Sequence, residues 1–258
     1  MVTIHSIRQQ GKFFLQFLTI IFISFALNSC QKEAVVMKVG IAAAYPPFEF
    51  FQEDKIVGFD VDLINAIAKE LGYEVKLQNM AFHDILPSLE NKKIDLAISA
   101  INKSAEREQQ FDFSKHYFQK QHSLVWLHRK GDPVFPAPQS HQKVGVQKGT
   151  VLEKLLIELH KDEHNFELLH FNSTPELIDK LSHKIIDIAL VEKVEAIEII
   201  QKMSSLAYQD SAHIIEGYAI AFPKGSTMVT QVNVALDKLE ASGFVDQLKK
   251  KWVVEQKN

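Results

Sequence analysis

Asp60-Val61-Asp62-Leu63-Ile64-Asn65-Ala66-Ile67-Ala68-Lys69-Glu70-Leu71-Gly72 is the stretch that decides the fold class. Val61, Ile64, Ile67, Ala68 and Leu71 recur at helical spacing and make one face apolar, and Gly72 supplies a stop signal. Before this helix, Val36 to Ala43 is an apolar run suited to a buried strand; after it, Glu74 to Gln78 alternates as a strand does. Phe82 to Leu89 repeats the helical spacing with Pro87 interrupting it, and Ile94 to Ile98 is again a short buried strand. Such βαβα alternation predicts an α/β fold with parallel sheet and helices on both faces.

The polar, proline-bearing stretch Lys130 to Gln142 breaks this rhythm, and a second unit begins. It reads as strand Val144 to Val146, helix Thr150 to Leu159 and strand Glu167 to Phe171. Thr174-Pro175 then opens a helix, with Thr174 as the cap and a proline in the first turn. Ile185 to Val191 is a strand, Glu192 to Gln201 a helix and Gly217 to Phe222 a strand; amphipathic helices run from Met228 to Trp252 and break at Gly243. Two α/β lobes are the natural reading of 258 residues.

Charge excludes one class of partner. The formal net charge is -3 and the sequence pI about 6.4, so no basic field exists to hold nucleic acid. The N-terminus differs from the rest: Arg8 and Lys12 precede an apolar run from Phe13 to Leu27, then Asn28-Ser29-Cys30. This order describes an export signal, and the run falls short of the ~20 apolar residues of a bilayer span. Cys30 is the only cysteine, which excludes an intrachain disulfide. Leu27-Asn28-Ser29-Cys30 resembles a bacterial lipobox, in which the cysteine is acylated. Residues 1–29 are accordingly expected to be a lipoprotein signal, and residues 30–35 a tether.

Six segments carry a wider resemblance: Tyr45-Pro46-Pro47-Phe48-Glu49-Phe50; Val57-Gly58-Phe59-Asp60-Val61-Asp62-Leu63; Ile94-Asp95-Leu96 leading to Glu106-Arg107; Val144-Gly145-Val146 with Gly149-Thr150; Tyr218-Ala219-Ile220-Ala221-Phe222-Pro223-Lys224-Gly225; and Lys251-Trp252. In this order they resemble the polar-amino-acid family of periplasmic solute-binding proteins. The resemblance implies a two-lobe periplasmic-binding-protein fold of type II, each lobe a central sheet flanked by helices, joined by two hinge strands. Lobe 1 would be residues 36–121 plus 218–258 and lobe 2 residues 122–217. It also implies a monomer that takes a polar or basic L-amino acid between closing lobes and delivers it to ABC transporter permease subunits, without a cofactor.

A buried zwitterion needs a matched group at each end. The planar fork of Arg107 suits the carboxylate, and the resemblance assigns it that role over the plainer one of a helix-surface arginine. Glu192 stands where the family usually has Asp, as acceptor for the ammonium; the plain alternative is a helix N-terminal glutamate favoured by the dipole. Asn102 stands where the family prefers Ser or Thr, Ser99 and Ala100 are expected to act through backbone groups, and Thr150 opens a helix whose N–H groups could face an anion or simply caps it. Tyr45 and Phe82 match aromatics that sandwich the ligand, and Asp60 fits a position that meets a cationic or amide side chain. Ala42 stands where basic-amino-acid binders often carry Asp, which counts against arginine or lysine and leaves glutamine and other polar ligands open.

His160-Lys161-Asp162-Glu163-His164 matches a zinc-protease pattern, but the segment is wholly polar and no metal is expected there. The rival to a binder is an enzyme on the same scaffold, a periplasmic cyclohexadienyl dehydratase, for which Glu192 would serve as the acid.

Overall fold

A computed structural model describes residues 35–119, 121–132, 141–163 and 166–253. The export signal and Cys30 lie outside these residues. Residues 36–258 form one compact unit, built on two five-stranded sheets.

The first sheet has the order β5 (Tyr73–Asn79), β1 (Val35–Ile41), β6 (Leu96–Ala97), β13 (Ala221–Pro223) and β7 (Phe111–Phe113). Helix α1 (Phe59–Leu71) covers one face, and Gly72 ends it in the left-handed region at φ 76. Its Phe59, Leu63, Ile64 and Ile67 are fully buried. They pack with Val232 and Leu236 of α7 (Met228–Ala241) and with Val245 and Leu248 of α8 (Phe244–Trp252). Each such side chain contributes about 2 kcal/mol by leaving water. On the other face Ile85 and Leu89 of α2 (Phe82–Glu90) meet Ile94, Phe111 and Phe113.

The second sheet has the order β10 (Phe166–Phe171), β9 (Gln142–Gln147), β11 (Ile188–Glu192), β8 (Gln121–Arg129) and β12 (Leu206–Glu216). The two-residue period of β8 sends Leu124 and Trp126 to one face and Val125 and Leu127 to the other. The first pair packs under α4 (Val151–Glu163), the second under α5 (Thr174–Ser182) and α6 (Lys193–Lys202). A three-stranded meander, β2 (Ala44–Tyr45), β3 (Glu49–Gln52) and β4 (Lys55–Val57), precedes α1.

Three features depart from the sequence reading. The sheets are mixed: β8 runs antiparallel to β11 and β12, and β13 antiparallel to β6 and β7. The reason is the connection. The chain leaves the first sheet along β8 and returns along β12, paired from Gln121↔Glu216 to Ser123↔Ile214, so the crossing is an antiparallel ribbon. The cap of α5 is Ser173, not Thr174; Ser173 is extended at φ -149, and its Oγ accepts from Glu176 N at 3.4 Å. Most of the expected strand 217–222 is irregular, held by a bridge between Asn102 and Tyr218, and only Ala221–Pro223 joins the sheet.

Candidate functional site: the cavity between the lobes

The ends of the strands converge on a cavity lined from both sheets. Ala42, Ala44, Tyr45, Glu49, Phe82, Ser99, Ala100 and Asn102 come from the first lobe, and Gln147, Thr150, Leu152, Thr174, Glu192 and Glu195 are among those from the second. Seven of the nine residues expected to bind ligand line it: Tyr45, Phe82, Ser99, Ala100, Asn102, Thr150 and Glu192.

Asp60 sits one layer behind. It is fully buried, and its Oδ2 accepts from Ala100 N and from Tyr117 OH, each at 2.8 Å. Ala100 adopts φ 44, a left-handed conformation that costs a non-glycine residue about 1–2 kcal/mol, and the bond to Asp60 holds it there. Burial, only partly offset by these donors, pushes the Asp60 carboxyl up to about 7.

Arg107 opens the short α3 (Arg107–Gln110) and lines not this cavity but an adjoining opening that shares Thr150 with it. Its guanidinium donates to Asn102 O at 2.6 Å and, across the lobes, to Gly149 O at 2.8 Å. A guanidinium carries five donors, so others remain for a ligand carboxylate. Burial lowers its pKa to about 10, against the attraction of Glu106 and Glu192, so it stays charged at neutral pH. Lys154 and Glu106 add an ion pair between the lobes. Gly149 stands at φ +78, and a Cβ there would come within 2.8 Å of His83 Cα. Only glycine lets the two backbones approach this closely.

Glu192 ends β11 and is the cap residue of α6, yet its side chain caps nothing. It turns into the cleft. Oε2 accepts from Tyr218 OH at 2.7 Å and lies 3.0 Å from His122 Nδ1, while Oε1 accepts from Asn102 Nδ2 at 3.3 Å. His122 stacks on Tyr218 at 4.2 Å between centroids, which fixes that ring. Asn102 Nδ2 also donates to Glu216 O at 3.0 Å, so its amide is anchored to the crossing strand. Thr150 is a cap: its Oγ1 accepts from Glu153 N at 3.1 Å and donates to Gln147 O at 2.8 Å.

Two cavity acids were not nominated from the sequence. Ser99 Oγ accepts from Ala42 N at 3.0 Å and donates to Glu49 Oε1 at 2.7 Å. Glu49 is buried, and burial and the neighbouring Asp60 raise its carboxyl well above the ordinary range. Glu49 Oε2 and Asp60 Oδ1 meet no donor among the described residues; a proton shared between the two carboxyls satisfies both. Glu195 is 5% exposed, with Thr174 and Tyr45 beside it. Burial, with Glu192 beside it, pushes it up to about 8. Its i, i+3 spacing from Glu192 was the available signal, since such residues share a helical face. For Glu49 the signal was weaker, a strand position beside buried Phe48.

Among the described residues no group of three or more His, Cys, Asp or Glu could hold a metal. His160 packs edge-on against Phe166, and His164 lies outside the described residues. No helix among the described residues is long and apolar enough to cross a membrane.

Two mixed α/β lobes joined by crossing strands, with a polar cavity between them, make up the type II periplasmic-binding-protein architecture. Residues 37–255 match the family described as bacterial extracellular solute-binding proteins, family 3, and the chain belongs to that family. It is 33% identical over 247 residues to the arginine-binding extracellular protein ArtP of Bacillus subtilis, covering 91% of this chain and 95% of the relative. Among solved structures it is similar to a Salmonella typhimurium periplasmic binding protein of high arginine specificity (TM-score 0.79, 28% identity, covering 86% of this chain and 100% of the other). It is also similar to the ancestral amino acid-binding protein AncCDT-1, a precursor of cyclohexadienyl dehydratase (TM-score 0.77, 26% identity, 85% and 96% covered).

Proposed function

We propose that this chain is the solute-binding component of an amino-acid ABC importer, closing residues 36–121 with 218–258 against residues 122–217 over an L-amino acid with a basic side chain. The observation that carries this reading is the acidity of the cavity, whose carboxyls ionise together only beside a cation. Glu49, Glu192 and Glu195 line it, Asp60 lies behind, and no lysine is among the described lining residues. Carboxylates gathered in a closed, dry site repel one another unless a cation enters. The arginine-binding relatives agree with it.

In this reading Arg107 takes the ligand carboxylate and Glu192 the ammonium. Tyr45 and Phe82 flank the aliphatic stem, Ser99, Ala100, Asn102 and Thr150 supply polar and backbone groups, and Asp60 holds Ala100 in place. Residues 1–29 are an export signal, and a lipid on Cys30 tethers the monomer to a membrane, on the periplasmic side or the outer face of the cell. The permease reads the closed surfaces of both lobes.

A dehydratase on this scaffold needs an acid that carries a proton into the cleft. Glu192, with its donors from Tyr218, Asn102 and His122, is built as an acceptor. Glu195, pushed up to about 8, is the observation that favours the enzyme. Turnover of prephenate or arogenate would establish that activity; stoichiometric amino-acid binding without turnover establishes the binder. The first test is a thermal-shift screen over the twenty amino acids. A ligand at 100 times its dissociation constant adds about 2.7 kcal/mol, or roughly 5–10 °C in Tm for a protein of this size. Arginine or lysine should give the largest shift; equal, null shifts for all twenty would overturn the reading.

A further inference from the structure

The cavity acids are not equivalent, and their hydrogen bonds separate them. Glu49 has one oxygen on Ser99 Oγ and the other turned to Asp60, so the pair holds one proton between two carboxyls and presents no uncommitted oxygen. Glu192 is engaged by Asn102, Tyr218 and His122. Glu195 differs. Tyr45 and Thr174 stand beside the carboxyl, and its Oε1 is buried and meets no donor among the described residues. It lines the cavity and also a groove that opens beside it toward Pro46 and α5, so it stands at the end of the cavity that a long side chain would reach.

We propose that Glu195 is the specificity-determining residue of this cavity, the carboxylate that receives the cationic end of the ligand's side chain when the second lobe closes. The inference rests on the reading of the cavity as an amino-acid site and adds to it the residue that selects the side chain. A buried carboxylate oxygen without a donor is costly. A guanidinium or alkylammonium supplies donor and charge together, whereas a neutral side chain supplies at most the donor.

Selection then has a proton signature. In the closed site without a cation, Glu195 holds its proton to about pH 8, because burial and Glu192 disfavour the anion. Beside a cationic side chain it is ionised instead. The groups facing it are Tyr45 from β2, Glu49 from β3, Glu192 on β11, Asp179 from α5 and His183 just after that helix; Glu198 and Lys202 share its own helix. None of these is a cation held directly against it. The complex with a neutral isostere therefore carries one proton more than the complex with arginine. The preference for arginine over that isostere should grow as pH rises toward 8, and this difference between two closed complexes does not depend on how open the empty protein is.

The test is calorimetry of L-arginine and of L-citrulline, its neutral isostere, on the wild-type protein, Glu195→Gln and Glu195→Ala, from pH 6 to pH 8. Wild type should prefer arginine at least 100-fold at pH 8, with the ratio changing up to tenfold per pH unit. Glu195→Gln should lose most of that preference through weaker arginine binding, bind citrulline within about tenfold of wild type, and flatten the pH dependence by about one proton. Retention of the wild-type ratio and slope by both variants, each folded by thermal melt, overturns the assignment of Glu195 while leaving the amino-acid site intact. Failure of wild type to bind any amino acid overturns the underlying reading instead.

Discussion

The two walls of the cavity are built differently. On the first lobe Ala42 N, Ser99 Oγ, Glu49, Asp60, Ala100 N and Tyr117 OH form a chain of bonds that stays within that lobe. Groups from the second lobe reach across: Glu192 to Asn102 and Tyr218, and Gly149 O to Arg107. One wall is therefore set before the ligand arrives, and the other is completed by closure. Binding energy spent on the first wall orients the ligand; that spent on the second pulls the lobes together.

This contrast can be broken by substitution. Arg107→Ala should cost the largest share of affinity, on the order of 3 kcal/mol or more, because the ligand carboxylate would be buried unpaired and one link to the second lobe would go; calorimetry reads it directly. Ser99→Ala, on the preset wall, should cost about 1–3 kcal/mol of stability even without ligand, since Ala42 N and Glu49 lose their shared partner; chemical denaturation checks it. Gly149→Ala should leave the lobes folded, with a stability loss of about 1 kcal/mol, but weaken binding by about tenfold through the collision with His83. An affinity loss no larger than the stability loss would put Gly149 outside the closing contact.

The preset wall also carries a pH dependence. The Asp60 carboxyl is raised to about 7 in the fold, against about 4 in an unfolded chain. The folded state thus binds more protons between these values, so its contribution to stability is largest below pH ~4 and declines up to pH ~7. Asp60→Asn should flatten that decline, removing about 2.6 kcal/mol of the stability difference between pH 5 and pH 8, or roughly 5–10 °C in Tm. An unchanged slope would mean that Asp60 titrates as an ordinary carboxylate.

Legibility of the sequence followed the same divide. Helix 59–71, the strands at 35–41 and 73–79 and the helix break at Gly243 were readable because apolar periodicity and glycine stops are local. Periodicity did not mark β8 and β12, since Gln121–Arg129 mixes polar and apolar residues and β12 is an edge strand half-buried or exposed after Leu206; the two hinge strands came from the resemblance alone. Their pairing is long-range, and with it the antiparallel crossing was lost. Motif resemblance made seven of the seventeen cavity-lining residues legible. Asp60 was legible as important, though its place behind Ala100 depends on Ala100 turning left-handed, which no spacing announces. Glu195 was passed over because a glutamate on an amphipathic helix ordinarily faces water. Ala42, read as pointing away from a basic ligand, lines a cavity whose acids come from Glu49 and from the other lobe.

The central claim is that two lobes meet over a zwitterion, one end on Arg107 and the other on Glu192. A crystal structure of the protein with L-arginine tests it most directly. The account predicts the ligand carboxylate within about 3 Å of the Arg107 guanidinium and the α-ammonium at the same distance from a Glu192 oxygen. A ligand bound in the cleft with its carboxylate away from Arg107, or with both ends held by one lobe, would contradict it.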